Sequence, residues 1–499
     1  MNTERISTQE ESDWLRLSPV SIIFFIIKFT VLFVKRWLVN VVPALAAVAF
    51  FSENKLLLLS IALPVIVFLV TVYSMVYYWH FTFCVRDGNI RIHQGVFAKQ
   101  YLNLEFARMQ NVNIVKPLYF APFKVVNCVI ESAGSKATEV ELPGVDEAFA
   151  LELQSEVFAS DTPDVEREPV NAKDGAAPFL KLSNWEIAKS GLTSYFALVI
   201  FAAIAPFLGN IGERLSDTII PKVLGALEPI VGNKIIAGGL LIVAAVSLYI
   251  ILIITASMVG ALIRFYGYEL HNQDDKLVRV TGLFEKRSTT LKKSKIQAIT
   301  ISQNVAARLL ERIQLQYSQV GARQTKQSDS SILIPILLPK EAERLTSLAF
   351  SDCPEPKFEP IHPSYLYRVF LYFWAIPAVC IVSIFSILLS GYFVISLIAL
   401  VPVFAVLVLR RRRYGFWHND EYGAIRQGML GQTVTLFPLH KCQLAKVSQS
   451  RGQRVRGLGN LTVQLGSGIV SIPYLPIPVI NRFVDQTLYK VESSSKAWM

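Results

Sequence analysis

The sequence is short of the residues that enzymes and metal proteins place at fixed spacings. Its six histidines form no HExxH motif, and its five cysteines (Cys84, Cys128, Cys353, Cys380, Cys442) form no CxxC pair and make an odd number. These absences speak against the common zinc and redox motifs and predict reduced thiols rather than a disulfide framework. No Gly-rich phosphate loop, paired catalytic carboxylates or Cys/His dyad stands at an interpretable spacing, so no catalytic, cofactor-binding or metal-ligating residue is assigned and no enzyme activity is expected. Charge is nearly absent from the apolar runs, Lys28 being the main exception, which argues against an ion or proton path. Aromatic residues do not interleave with the basic ones, so nucleic acid is not expected as a partner. The polar, acidic first 18 residues do not read as a cleavable signal peptide.

What is present is apolar length: 52% of the 499 residues are hydrophobic. Runs at 37–51 with 56–79, 191–209 with 235–265, and 369–389 with 392–409 approach or exceed the roughly 20 residues that cross about 30 Å of hydrocarbon. The buried helix of a large soluble protein usually keeps a polar stripe, whereas residues 389–409 carry no charge. Six crossings in three pairs are therefore predicted. Residues 19–34 are expected to lie in the interface as an amphipathic helix, with a crossing as the alternative that the distribution of basic residues opposes. Lys35 and Arg36 precede the first crossing, Lys181 and Lys189 the third and Arg368 the fifth, while Arg410, Arg411, Arg412 and Arg413 follow the sixth. Cytosolic retention of such residues puts both termini and all polar regions in the cytosol and makes these positions topology anchors.

Three copies of one pattern follow the three apolar pairs. Gly95, Gly282 and Gly428 each stand 15 residues before a glutamine, Gln110, Gln297 and Gln443. A basic residue, Arg108, Lys295 or Lys441, lies two before each glutamine. Repeated glycine reads as a bulge or close backbone approach and repeated glutamine as a satisfier of buried strand ends, both structural roles. Short β-branched runs, an Asp87-Gly88 turn and a helical stretch closing each copy predict a module of antiparallel strands with a C-terminal helix. The expected organisation is an N-terminal interfacial helix and hairpin (1–80), a first domain (81–158), a linker (159–178), a second hairpin (179–265) and domain (266–350), a linker (351–361), and a third hairpin (362–413) and domain (414–499).

At the third copy, IRQGMLGQTVTLFPLHKCQLAKVSQSRGQRVRGLGNLTVQLGSG, the chain resembles the bacterial pleckstrin-homology (PH) domain of YdbS/YdbT-type membrane proteins, and its three-copy layout is similar to the longer members. The resemblance implies three transmembrane hairpins, each followed by a partly open β-barrel capped by a helix. It also implies a bacterial plasma (inner) membrane location and a shorter PH-domain homologue as partner, with self-association alongside. In the first copy Lys116-Pro117 replaces Gln-Ser and the Leu-Gly step is lost.

Charge then points to a surface. From Tyr422 to Val484 the third copy has no acidic residue but carries Lys441, Lys446, Arg451, Arg454 and Arg456 among its basic ones; the second copy groups Lys292, Lys293 and Lys295. Next to an anionic leaflet each such charge contributes about 1 kcal/mol. These eight residues are the candidate headgroup or partner surface, set against the plainer reading that they serve topology and solubility. Two functions follow as expectations: a non-enzymatic membrane scaffold working with a shorter PH-domain homologue, or a lipid-interacting envelope-stress or compound-resistance protein that binds the phospholipid bilayer.

Overall fold

Three strands of only two residues set the plan of each copy. The computed structural model describes residues 14–33, 55–106, 109–132, 139–159, 178–193, 220–273, 275–320, 331–351, 353–388, 397–398, 400–429 and 431–493. Just ahead of the three apolar regions stand β1 (Leu15–Arg16), β8 (Leu180–Lys181) and β15 (Glu359–Pro360). Each pairs antiparallel with the strand reached only after the apolar region: β2 (Thr82–Arg86), β9 (Glu269–Gln273) and β16 (Gly415–His418). A long apolar excursion is thus closed at its base by backbone hydrogen bonds in every copy.

The chain forms two compact units, residues 1–177 with 284–290, and residues 178–283 with 291–499. In the first, Asp87 and Gly88 have φ of 53° and 71° and join β2 to β3 (Asn89–Gln94) with Arg86 opposite Asn89. Two positive φ values in a two-residue loop make the turn whose twist matches the flanking strands, hence Asp-Gly. β4 (Gln100–Glu105) completes a four-stranded sheet in the order β1-β2-β3-β4. Strands β5 (Met109–Pro117), β6 (Val125–Ser132) and β7 (Glu139–Asp146) follow, then the helix Glu147–Ala159. Residues 285–288 of strand β11 (Glu285–Lys292) add to β5, with Glu285 opposite Pro117 and Ser288 opposite Ile114. The core gathers Phe25, Phe81, Ile90, Ile92, Ile130, Leu142 and Leu153. Phe25 comes from the helix Ser21–Phe33, the segment expected in the interface. Its Ser21 hydroxyl donates to the Pro143 carbonyl at 2.7 Å, and Lys28 pairs with Glu141, which accounts for the lone charge of that apolar run.

The second unit holds two sequence copies. β9 pairs with β10 (Lys276–Thr281); β12 (Ala298–Gln303), β13 (Ile313–Ser318) and β14 (Ser331–Leu337) follow, then the helix Pro339–Ala349. The next copy supplies β16, β17 (Tyr422–Gln427) and β18 (Gln432–Pro438), then β19 (Cys442–Ser448), β20 (Leu458–Leu465) and β21 (Gly468–Pro476), and the helix Ile477–Ser493. Here β12 and β18 pair with each other, so the sheet runs β14-β13-β12-β18-β17-β16-β15 across both copies.

Helices Ile235–Phe265 and Ser364–Ile384, 31 and 21 residues, are long and apolar enough to cross a membrane. They are exposed along most of their length, as a helix surrounded by lipid is and a soluble core helix is not. Helices Ser21–Phe33 and Pro64–Trp79 are apolar but shorter. The expected crossing at 37–51, most of that at 191–209, residues 392–396 and 399 of that at 392–409, and the anchors Lys35 and Arg36 lie outside the described residues; residues 400–409 fall in the helix Leu400–Arg413. Where the helix Asn184–Leu192 meets the long helix, the Ser257 hydroxyl donates to the Gly191 carbonyl at 2.7 Å. A Cβ on Gly191 would stand 2.7 Å from the Met258 Cα, so only glycine permits this approach, the usual device of helices packing in lipid.

Candidate functional site

The repeated glycines all take positive φ, 102° at Gly95, 119° at Gly282 and 156° at Gly428. At Gly95 and Gly428 a side chain would collide with the carbonyl of the residue three further on, Ala98 or Gly431. This reversal aims the next strand, β4 or β18, and β18 is the strand by which the third copy joins the second.

That junction is the best-built polar and apolar site of the second unit. Five residue pairs align β12 with β18, from Ile299 opposite Leu436 to Gln303 opposite Gln432. The two copies exchange core residues across it: Ala424 and Leu436 pack in the core of the second copy, and Ala298 in that of the third. Lys441 reaches through the junction. Its ammonium donates to the Ile296 carbonyl at 2.8 Å and to that of Ser294, and the residue is 5% exposed. Burial lowers its pKa to about 8. Both acceptors are backbone oxygens, so the proton, present or lost, leaves a donor for each. Burial likewise pushes the Cys442 thiol up to about 12, holding it protonated. Gln297 is buried at the same place.

Beside the junction a cavity of about 950 Å³ opens between the end of the long helix and the two domains, lined by Arg264, Phe265, Asn304, Arg312, Met429 and Thr433 among others. Its wall is mostly apolar. Arg312 is engaged with Glu186 at 3.1 Å, which holds the Glu186 carboxyl below its usual range.

Both domains are fastened at this end to the helix that opens their apolar region. In the second copy the fastening is Arg312 to Glu186 and the Asn304 amide to the Thr193 carbonyl. In the third, Arg368 donates to the Gly452 carbonyl at 2.8 Å and Arg456 to the Ser364 hydroxyl at 2.7 Å. Between these fastenings the short helices Val305–Leu309 and Arg451–Arg454 expose apolar residues, Leu309 at 81% and, just past the second, Val455 at 88%. Each stands 12 residues after its repeated glutamine and next to an arginine, Arg308 or Arg454.

The residues singled out by charge thus separate. Lys446, Arg451, Arg454 and Arg456 are exposed. Lys293 and Lys295 are half-buried in the 3₁₀ turn after β11, while Lys292 and Lys441 are buried and face no solvent. Gln443 is exposed on β19; Gln110 lies on β5, its side chain outside what is described. Of the arginine run, Arg410 donates to the Tyr414 hydroxyl at 3.1 Å and Arg413 to the Gln432 amide oxygen at 3.2 Å; Arg411 is half-buried and Arg412 exposed. Sequence reasoning placed Arg368 beside a crossing but missed its bond to Gly452, and it missed the Glu186–Arg312 pair. The matched offsets of Leu309 and Val455 were the available signal for the exposed pair. Among the described residues no three His, Cys, Asp or Glu side chains gather as metal ligands.

Residues 24–160, 220–350 and 374–491 match the bacterial PH domain family. Over 436 residues the chain is 23% identical to the UPF0699 transmembrane protein YdbT of Bacillus subtilis (strain 168), covering 82% of this chain and 84% of that protein. No solved structure matches. Matched in three successive copies over most of its length, the chain is a membrane protein with bacterial PH domains and belongs to the bacterial PH domain family.

Proposed function

We propose that the chain is a non-enzymatic, multi-pass membrane scaffold of the bacterial inner membrane, whose PH domains sit in the cytosol and dock a shorter PH-domain membrane homologue. The observation that carries this reading is the β12–β18 junction, where one PH domain recognises another by strand addition, exchanges core residues and buries a lysine between them. A fold that binds its own kind edge to edge is suited to gather others. The strand pairs β1–β2, β8–β9 and β15–β16 support one transmembrane hairpin per copy, because a chain that leaves a sheet and returns to it crosses the membrane an even number of times. Purification of the tagged chain from native membranes in mild detergents tests the scaffold role. The expected outcome is a defined complex with a shorter PH-domain protein; recovery as a lone monomer in several such detergents would overturn it.

A second reading, interaction of the same domains with anionic lipid in envelope maintenance, is favoured by Val455 between Arg454 and Arg456 at the membrane-fastened end of the third domain. An apolar tip flanked by cations suits the headgroup boundary. Charge reversal at Arg451 and Arg454 in the full chain should abolish any preference of its proteoliposomes' third domain for anionic over neutral lipid, read as protease protection of residues 450–456. Equal protection in both lipids before mutation removes this reading.

A further inference from the structure

Both internal junctions follow one rule. In the first unit a strand from the second copy pairs with β5; in the second unit a strand from the third copy pairs with β12. The register is identical: the residue six after the repeated glycine stands opposite the residue four after the repeated glutamine, Ser288 opposite Ile114 and Val434 opposite Ile301. Applied once in each direction, the rule leaves two strands over. β4 is the first copy's counterpart of β11 and β18, and β19 is the third copy's counterpart of β5 and β12; among the described residues β4 neighbours only β3, and β19 neighbours only β20.

The leftover strands are exposed where their counterparts are covered. Leu444, one after its glutamine, is 50% exposed, whereas Ala298 at the same offset is 2% exposed. Val447 and Tyr101 are also exposed large side chains. Neither strand contains proline; β4 pairs regularly with β3, and β19 carries Lys446 and shifts register at Gln443, as β5 does at Gln110 while still accepting β11. An edge with exposed apolar side chains and a backbone that pairs with no described strand on that side is a template for another strand.

We propose that β19 of one copy of this chain adds antiparallel to β4 of a second copy, in the register used at both internal junctions. That register sets Tyr101 opposite Val447, Leu102 opposite Lys446 and Asn103 opposite Ala445. The occupant is a second copy because each chain carries both halves of the junction, one at each end of the series. The contact is heterologous, so copies join head to tail. The proposal deepens the scaffold reading and rests on it in one respect, that PH-domain edges are docking surfaces.

Disulfide trapping in native membranes tests it. Two differently tagged full-length chains, both with Cys353→Ser and Cys380→Ser so that only the buried Cys84, Cys128 and Cys442 remain, are co-expressed and oxidised. One carries Asn103→Cys and the other Ala445→Cys; a second pair carries Leu102→Cys and Lys446→Cys. A shifted pair, Asn103→Cys with Lys446→Cys, puts the thiols on opposite faces of the sheet. The expected result is a doubly tagged product from at least one in-register pair, about tenfold above the shifted pair, with each variant eluting and melting as the parent does. No product from either in-register pair, or equal product from the shifted one, overturns the proposal. If trapping fails while a shorter homologue still co-purifies, the scaffold reading stands without this contact; if both fail, both fall.

Discussion

Copies two and three face the same task, fixing a β-rich domain against the helix that opens its apolar region, and they solve it with different chemistry. In copy two the domain supplies the cation, Arg312, and the helix the acid, Glu186. In copy three the helix supplies one cation, Arg368, to the Gly452 carbonyl, and the domain supplies another, Arg456, to the Ser364 hydroxyl, so neither bond uses an acid. Position is shared and the bonding is not, which teaches that the repeat constrains where the domain is held and leaves open how. The basic residue two before the repeated glutamine diverges in the same way: Lys295 is half-buried, whereas Lys441 spans a junction.

That last difference should give the largest effect. Lys441→Ala strands the buried Ile296 carbonyl and frees the part-buried one of Ser294, and is expected to cost about 1–3 kcal/mol, read as thermal unfolding of the purified protein in detergent, with Lys295→Ala costing less than half as much. Equal losses would erase the distinction between the copies at this position. Acid comes next. The Arg312 guanidinium holds the folded Glu186 carboxyl below its ordinary value, so the pair stabilises above the ordinary carboxylate range, near 4.3, and the gain is lost as pH falls through the depressed folded value. Limited proteolysis after residue 193 should therefore accelerate below about pH 4 in the parent and at every pH in Arg312→Ala, while the copy-three fastening, made by guanidinium to carbonyl and hydroxyl, stays unchanged. The smallest effect is expected of Gly452→Ala: its methyl would displace the end of the flexible Arg368 side chain, opening that fastening at under about 0.5 kcal/mol of global stability, detectable as faster hydrogen exchange at residues 450–456. Unchanged exchange there would mean that Arg456 and Ser364 suffice.

Much of this plan was legible because it is written in offsets. Glycine at a fixed distance before glutamine reports a backbone reversal that no other residue makes cheaply, and Asp87-Gly88 reports a two-residue turn. The same offsets even placed Leu309 and Val455, had exposure been asked of them. Lys441 was not legible as buried, since among seven basic and no acidic residues a lysine that bridges two domains looks like one that faces water. The edge-to-edge junctions were hidden for a different reason. Strands β12 and β18 are separated by more than a hundred residues that include a long apolar helix, and alternation along a strand says which face is buried without saying which neighbour completes the sheet.

The pairing of β12 with β18 has a consequence for how such contacts are controlled. Held in one chain, the two edges meet at an effective concentration in the millimolar range, roughly, so even a weak intrinsic affinity keeps them closed. The same pairing between separate chains has no tether and depends on how densely the protein populates its bilayer. Within the molecule the junction is a fixture; between molecules it is a gauge of abundance, formed when the membrane is crowded with copies and dissolved when it is not.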